Sequence, residues 1–174
     1  VLTYLQEKSI SKIHVFGYSM GGYVAMKLAL DHSELIAKIV TLGTKFNWTK
    51  QGAEKEKQLL NPEKIEAKIP KFANQLSRIH GRDNWKEVVR NTSSLIHGLG
   101  NGKKIAHNML KQIPHDVLIA VGKLDEMVTY EESKVVSELL PNGSLCVVDE
   151  FQHPIDSVDK RVLAVLINDF IKKQ

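Results

Sequence analysis

One serine of this sequence occupies a position from which it could act as a nucleophile. The segment Gly17-Tyr18-Ser19-Met20-Gly21 follows an apolar, β-branched run and precedes an alanine- and leucine-rich helical pattern. This order predicts a strand, a tight turn carrying Ser19, and a helix, which is the pattern of the Gly-x-Ser-x-Gly nucleophile elbow. Glycine is expected at 17 and 21 because a side chain would collide with so tightly turned a backbone. The alternative is a glycine-rich turn whose serine only caps the helix.

The same turn would place Ser19 beside the N-terminus of a helix. The first N–H groups of a helix have no intrahelical acceptor, and the helix dipole is positive at this end. The backbone N–H of Met20 is therefore predicted to stabilise negative charge that develops on the oxygen of an attacked carbonyl group. Tyr18, beside the serine, is a candidate for lining the substrate pocket.

A serine hydroxyl becomes an effective nucleophile when a base removes its proton, and a carboxylate can orient and support that base. Asp125 lies shortly after the apolar run 117–121 and is the candidate carboxylate, with its neighbour Glu126 and then Asp149 as substitutes. His153 follows the last apolar run and is the candidate base. Simpler roles exist for both residues, since Asp125 could form a turn or cap a helix and His153 could be a polar surface residue.

The elements that must position these residues alternate between strand and helix. Apolar runs that predict strands are separated by helical patterns, and one of them, residues 117–121, is continuous, as is typical of a parallel strand covered on both faces. These runs are residues 13–16, 35–42, 117–121 and 144–148. We predict an α/β fold with an open, mainly parallel sheet and flanking helices. Ser19, Asp125 and His153 then meet at the carboxyl edge of the sheet, where such folds bind their ligands.

A block of helices interrupts this alternation. Residues 44–112 are predicted to form a helical cap insertion within a core formed by 1–43 and 113–174. The insertion contains 14 Lys and Arg against 6 Asp and Glu, a net charge of +8, and the remainder contains 10 against 14, or −4. A basic surface near a pocket would attract acidic substrates. The alternative is that lysines on outward helix faces serve solubility.

Two aromatic residues lie where the chain enters the insertion. Phe46 and Trp48 follow the predicted strand 35–42 by a few residues. Their position makes them candidates for lining the substrate pocket, with packing in a hydrophobic core as the alternative use of each.

Composition limits the other classes of function. No apolar run reaches the roughly 18 residues that span a bilayer, and no secretory leader pattern is present, so we expect a cytoplasmic protein without membrane contact. The single cysteine excludes an intramolecular disulfide. The glycine-rich segment 98–103 does not match a phosphate-binding loop. Because no metal-ligand or nucleic-acid-binding motif occurs, we expect no cofactor, no metal and no nucleic-acid partner, and a small molecule as the substrate.

The chain order Ser19, Asp125, His153 is the order found in α/β-hydrolases. From Ser19 to Lys172 the sequence resembles the C-terminal portion of an α/β-hydrolase-fold serine hydrolase with a helical cap, through its Gly-Tyr-Ser-Met-Gly-Gly, Gly-Lys-Leu-Asp and late His-Pro segments. The resemblance implies hydrolysis of a small ester or thioester through an acyl-enzyme on Ser19. A carbon–carbon bond hydrolase or a cofactor-free peroxidase of the same fold is one alternative. A non-catalytic binding protein of this fold is another.

The resemblance also implies parts that this sequence does not contain. Such enzymes begin with several strands and a loop that supplies the second oxyanion donor. The strand at 13–16 would pair with one of those strands, and without it an apolar edge would be open to water. We therefore expect the chain to be completed by the N-terminal part of a longer protein or by a second chain. Since loss of one oxyanion donor costs about 2.7–4 kcal/mol, the chain alone is expected to be slow or inert.

Overall fold

The computed structural model describes residues 1–173, which form four strands and nine α-helices. The strands are β1 (Ile13–Tyr18), β2 (Ile36–Leu42), β3 (Asp116–Gly122) and β4 (Asn142–Val148). The helices are α1 (Leu2–Glu7), α2 (Met20–Asp31), α3 (Lys50–Leu59), α4 (Pro62–Lys68), α5 (Pro70–His80), α6 (Trp85–Gly98), α7 (His107–Leu110), α8 (Tyr130–Leu139) and α9 (Lys160–Lys172). Each of these helices is too short or too polar to cross a lipid bilayer.

The four strands form one parallel sheet in the order β1-β2-β3-β4. Leu42 near the end of β2 lies opposite Tyr18 on one side and Ala120 on the other, so the carboxyl ends of the strands are neighbours. The predicted α/β class with a mainly parallel sheet is confirmed. Within the described residues β1 pairs only with β2, and Phe16 on β1 is 38% exposed.

The core of the sheet follows from its apolar runs. Residues 117–121 of β3 are buried on both faces, as the continuous run of apolar side chains predicted. Helix α2 packs on β1 and β2, and α8 packs on β3 and β4. At the carboxyl end of the sheet, Leu42, Ala120, Phe151 and Val158 form a buried cluster. This cluster supports the loops that carry the candidate site.

The chain divides into two compact units. The first comprises Val1–Phe46 together with the chain from Ile105 onward, and it contains the sheet. The second is Asn47–Lys104, which contains α3 to α6. Its own buried cluster is formed by Ile65, Ala73, Trp85 and Val89. The predicted insertion, residues 44–112, extends beyond this second unit at both ends. Its role as a cap stays a prediction.

Local capping chemistry sets several boundaries. The side chain of Asn61 accepts a hydrogen bond from the Lys64 N–H at 2.8 Å, and Pro62 opens α4, as this Asn-Pro pair predicts. The apolar stripe of the last helix, which includes Val158 and Val162, predicts a helix from about residue 157 to 172. The helix begins later, because the Asp159 carboxylate caps α9 at the N–H groups of Arg161 and Val162. A short 3₁₀ turn occupies residues 155–157 instead.

Candidate active site

Ser19 lies at the corner between β1 and α2, as the sequence predicts. Its φ is 51°, in the left-handed region that residues other than glycine rarely adopt. The Ser19 N–H donates to the carbonyl oxygen of Leu42 on the neighbouring strand at 2.8 Å. Among the described residues the Ser19 side chain makes no capping bond to α2, so the alternative of a simple helix cap does not describe it.

The crowding at this corner involves a different pair of glycines from the predicted one. A Cβ on Gly17 would lie 2.4 Å from the Cα of Gly22, and a Cβ on Gly22 would lie 2.0 Å from Oγ1 of Thr44. The expectation that Gly21 is also required by crowding is wrong, because no described atom lies within 4 Å of the position of its Cβ. Gly21 faces open space on the first turn of α2, and Gly22 is the residue that faces the sheet.

Thr44 supports the corner and was not identified from the sequence. Its side-chain hydroxyl donates to the backbone carbonyl oxygen of Ser19 at 3.0 Å, and the residue is 2% exposed. A buried hydrogen bond of this kind contributes about 1 kcal/mol and is costly to leave half made. The only signal in the sequence is a threonine directly after Gly43, which ends the strand-like run.

The structure brings Ser19, His153 and Asp125 into one hydrogen-bonded line. Ser19 Oγ lies 3.2 Å from Nε2 of His153, and His153 Nδ1 lies 2.9 Å from Oδ2 of Asp125. An ionised carboxylate can only accept, so Nδ1 carries the ring proton and Nε2 presents its lone pair to the serine hydroxyl. The side chains of His153 and Asp125 are 12% and 2% exposed. This arrangement allows a proton to pass from Ser19 to His153.

Asp125 serves two purposes at once. Its Oδ1 accepts from the backbone N–H groups of Met127 at 2.8 Å and Val128 at 2.9 Å, while Oδ2 faces His153. The turn-forming role that the sequence offered as the simpler explanation is therefore also present. These two N–H donors fix the carboxylate in the orientation that the imidazole requires.

The two substitutes for Asp125 lie elsewhere. Asp149 is paired with Lys123 at 3.3 Å, and its side chain is 79% exposed. Glu126 is exposed beside Asp125 and lines an open cleft of about 570 Å³ that borders Asp125 and His153. Of the three carboxylates, Asp125 is the one whose oxygens lie within hydrogen-bond distance of the imidazole.

Backbone bonds join the loop of the carboxylate to the loop of the histidine. The Lys123 N–H donates to the carbonyl oxygen of Val148 at 2.9 Å, and the Leu124 N–H donates to that of Phe151 at 3.1 Å. Gly122 permits this approach, since a Cβ there would lie 2.1 Å from the carbonyl oxygen of Phe151. The separation of Asp125 and His153 is therefore set by main-chain contacts as well as by their side chains.

Tyr18 contacts the histidine from the side of β1. Its hydroxyl donates to the backbone carbonyl oxygen of His153 at 2.8 Å, and the two ring centroids are 5.5 Å apart. Burial raises the pKa of Tyr18, the charges of Asp125 and Asp156 raise it further, and a hydrogen bond with the Ile155 backbone acts in the opposite direction. The phenol therefore stays protonated and able to donate at neutral pH. Its predicted part in lining a pocket stays a prediction.

Phe46 and Trp48 are both buried, with 8% and 3% of their surfaces exposed. The Phe46 ring lies 6.0 Å from the ring of Tyr23, and its backbone N–H donates to the Glu132 carboxylate. The Trp48 carbonyl oxygen accepts from the Lys104 ammonium group at 3.1 Å. These contacts favour the packing alternative, and a role in lining the pocket stays a prediction for both.

The predicted oxyanion donor lies where the sequence placed it. Met20 is the first residue of α2, so its N–H belongs to the first turn, whose donors no intrahelical carbonyl accepts.

In residues 1–173, no group of three or more His, Cys, Asp and Glu side chains is close enough together to hold a metal ion. The line from Ser19 through His153 to Asp125 can support proton transfer and nucleophilic attack.

The backbone at Gly43 lies directly against the Asp125–His153 pair. Its φ is 56°, and a Cβ there would lie 2.9 Å from Asp125 Oδ2 and 3.3 Å from His153 Nδ1. We expect Gly43→Ala to lower the rate of any reaction at Ser19 at least about tenfold, because the pair must move apart. Gly102→Ala is the matched control, since Gly102 has φ of 97° with nothing within 4 Å of its Cβ position.

Both substitutions carry the cost of a left-handed alanine, about 1–2 kcal/mol. We expect thermal unfolding to show a loss for both variants, whereas the rate falls only for Gly43→Ala. Equal rates in the two variants would show that the backbone at Gly43 does not hold the pair in place.

Comparison with known proteins agrees with the observed fold. The sequence profile of the alpha/beta hydrolase fold matches residues 1–75. No curated protein sequence matches the chain at a significant level. An alpha/beta hydrolase enzyme from a deep-sea metagenome library of the Medee basin is similar in structure, with a TM-score of 0.68 and 17% identity. That match covers 99% of this chain and 70% of the other.

Two further solved structures show the same likeness. A thermophilic esterase from Thermogutta terrifontis has a TM-score of 0.69 and 19% identity, over 97% of this chain and 68% of the esterase. The meta-cleavage product hydrolase CumD from Pseudomonas fluorescens has a TM-score of 0.64 and 22% identity, over 98% of this chain and 68% of the hydrolase. The chain therefore has the α/β-hydrolase fold. At these identities the likeness concerns the fold, and the activity is a separate question.

Proposed function

We propose that this chain carries the acyl-transfer site of a serine hydrolase that cleaves a small ester or thioester. The observation that carries the proposal is the line from Ser19 Oγ to His153 Nε2 at 3.2 Å and from His153 Nδ1 to Asp125 Oδ2 at 2.9 Å. A strained serine, a base with its lone pair directed at the hydroxyl, and a buried carboxylate behind the base are the parts that acyl transfer requires.

In the first half of the proposed reaction, Ser19 Oγ attacks the carbonyl carbon of the substrate and its proton passes to Nε2 of His153. The carbonyl oxygen becomes negative and is stabilised by the backbone N–H of Met20 at the start of α2. Collapse of the tetrahedral intermediate breaks the bond to the alcohol or thiol, which takes the proton from Nε2. The acyl group remains on Ser19 as an ester.

In the second half, water replaces the alcohol. His153 takes a proton from the water, whose oxygen attacks the acyl carbon, and then returns that proton to Ser19 Oγ as the acid leaves. Asp125 stays ionised throughout and stabilises the imidazolium that forms in each half. The Asp125 carboxylate is held by the Met127 and Val128 N–H groups, so it needs no reorganisation when that charge appears.

Ser19 is the nucleophile in this proposal, and an activated phosphonate tests it directly. We expect a fluorophosphonate probe applied to the full-length protein to modify the peptide that contains Ser19, as located by mass spectrometry, and the modification to be absent in Ser19→Ala. Ser9→Ala is the matched control, because Ser9 is the other non-glycine residue with positive φ among the described residues, at 52°, and lies in a different loop. No modification of Ser19 at saturating probe would contradict the proposal and favour a binding protein.

A panel of p-nitrophenyl esters defines the substrate class. Chain length is varied first, and each ester is then compared with an analogue that carries a carboxylate. Residues 47–104 hold 12 Lys and Arg against 6 Asp and Glu, a net charge of +6. Faster turnover of the carboxylate analogues would assign this charge to attraction of acidic substrates, and equal rates would assign it to solubility. Phosphonate labelling without turnover of any ester would favour a carbon–carbon bond hydrolase of the same fold, which would use the same three side chains.

A further inference from the structure

The backbone of His153 is held from the strand that leads into the nucleophile. The Tyr18 hydroxyl donates to the His153 carbonyl oxygen at 2.8 Å in a partly buried contact. The phenol ring also lies against the imidazole, with centroids 5.5 Å apart and planes inclined at 43°. Tyr18 is adjacent to Ser19 in the chain, so one segment contacts the proposed base and carries the proposed nucleophile.

His153 needs such a contact because it lies outside regular structure. It lies between β4, which ends at Val148, and the 3₁₀ turn at residues 155–157. The bond from Nδ1 to Asp125 orients the ring, and main-chain bonds at Val148 and Phe151 hold the segment that precedes His153. Neither of these contacts holds the His153 carbonyl group itself, to which the Tyr18 hydroxyl donates. The distance from Nε2 to Ser19 Oγ, 3.2 Å, depends on where that backbone is held.

Tyr18 is itself fixed by the core. It is the last residue of β1, paired with Leu42 of β2. Its side chain packs against the buried cluster that includes Leu42 and Phe151. Because these contacts hold the ring, they also fix the position of its hydroxyl group relative to the sheet. Burial of the phenol raises its pKa and keeps the hydroxyl protonated, as a donor must be.

We propose that Tyr18 is a positioning residue, whose hydroxyl ties the His153 backbone to β1 and so sets the distance between the base and the nucleophile. The expected fall in kcat rests on the proposed function. The effect of the Tyr18 hydrogen bond on the position of the His153 backbone does not depend on it. Tyr18 does not exchange a proton with the substrate. It acts through His153 alone.

Tyr18→Phe removes the tether and keeps the ring. The His153 carbonyl oxygen loses its donor, and the loop can shift by a fraction of an ångström to reach water. Because catalysis is sensitive to misplacement on this scale, we expect kcat to fall about 10- to 100-fold with little change in KM. For the phosphonate probe, the maximal inactivation rate falls by the same factor and the half-saturating concentration does not change.

Tyr23→Phe is the matched control. The Tyr23 hydroxyl accepts from the Ile105 backbone N–H at 2.6 Å, and the residue is 6% exposed, so this variant also loses one buried tyrosine hydrogen bond. Its contacts lie away from His153. If Tyr18 had only a structural role, the two variants would lose similar stability and similar activity. The proposal requires that kcat falls in Tyr18→Phe alone, at comparable melting temperatures.

Hydrogen–deuterium exchange of this chain separates a failure of the tether from a failure of the proposed function. We expect peptides covering residues 151–157 to exchange faster in Tyr18→Phe than in the wild type or Tyr23→Phe, whether or not Ser19 reacts. Faster exchange with an unreactive wild-type Ser19 would refute the hydrolase and retain the tether. Unchanged exchange in this segment would overturn the positioning role, and so would equal kcat values in the two variants when the wild type is active.

Discussion

Replacing Asp125 by asparagine is expected to lower kcat for ester hydrolysis by about 10⁴-fold while leaving the fold almost intact. The reason is the pair of backbone N–H groups, from Met127 and Val128, that donate to Oδ1. In the variant only the amide oxygen can accept these two bonds, so the NH₂ group must occupy the place of Oδ2 and point at His153.

An NH₂ group facing Nδ1 favours the wrong form of the imidazole. The shorter contact of Nδ1, 2.9 Å to the Oδ2 position against 3.1 Å to Oδ1, is then with a donor, so we expect the ring proton to move to Nε2, which faces Ser19 at 3.2 Å. A base that already carries a proton on this nitrogen cannot take one from the serine. The two bonds to Met127 and Val128 survive, and we therefore expect the melting temperature to change by only a few degrees.

Two measurements test this prediction. Initial rates on the most reactive ester of the panel give the change in kcat, and ¹⁵N chemical shifts of the His153 ring report the tautomer even if turnover is slow. Asp149→Asn is the matched control, because that carboxylate pairs with Lys123 at the surface. Glu126→Gln serves in the same way. A tautomer unchanged in Asp125→Asn, or a comparable loss in either control, would contradict the role assigned to Asp125.

The elements of the fold were predictable because each one has a local signal. Apolar runs predict the parallel strands. The Asn61-Pro62 pair and the capping box of Thr129 and Glu132 predict two helix starts, and in the structure the Asn61 and Thr129 side chains accept from the N–H groups three residues on. The start of a helix is harder to predict where a capping side chain lies within the apolar pattern of that helix. The apolar stripe of α9 suggested a start at residue 157, but Asp159 sets the start at Lys160.

The sequence predicted the three residues of the candidate site, but it did not predict the neighbouring residues that hold them in place. Ser19, Asp125 and His153 could be chosen because each follows a strand at the carboxyl edge of a parallel sheet. The contacts of Thr44 with Ser19 and of Tyr18 with His153 join residues that are 25 and 135 positions apart. Neither contact has a local signature, because the type of residue suits many other uses and only the packed sheet brings the groups together.

The error at Gly21 has the same origin. A motif written as Gly-x-Ser-x-Gly draws attention to the glycine two residues after the serine, but crowding depends on which Cβ faces the sheet. On the first turn of α2 the inward position is Gly22, and its neighbours are Gly17 of β1, Thr41 of β2 and Thr44 beyond β2. The sequence does contain two consecutive glycines, and choosing between them requires the rotation of the helix about its axis.

Gly22 is therefore the position where one methyl group should do the most damage to the fold. In Gly22→Ala the new Cβ would lie 2.0 Å from Thr44 Oγ1, 3.0 Å from the Gly17 carbonyl oxygen and 3.1 Å from Thr41 Cβ. Thr44 must turn away and abandon the Ser19 carbonyl oxygen. We expect overpacking to lower the free energy of unfolding by about 1–3 kcal/mol, and the orphaned carbonyl to add a comparable loss.

Gly21→Ala is the matched control, one residue away on the same helical turn. No described atom lies within 4 Å of its Cβ position, and alanine favours a helix over glycine by about 1 kcal/mol. We expect this variant to keep or slightly raise the melting temperature. For a chain of this length, each kcal/mol lost in Gly22→Ala should lower that temperature by roughly 2–4 °C.

A double variant identifies the cause of the loss. Thr44→Ala removes the oxygen that the new methyl group would strike, so Gly22→Ala should be less damaging in that background than in the wild type. The two changes share one contact, and their effects on the free energy of unfolding should therefore be non-additive. Strict additivity, or equal melting temperatures for Gly21→Ala and Gly22→Ala, would mean that the packing of Thr44 against Gly22 does not hold the corner that carries Ser19.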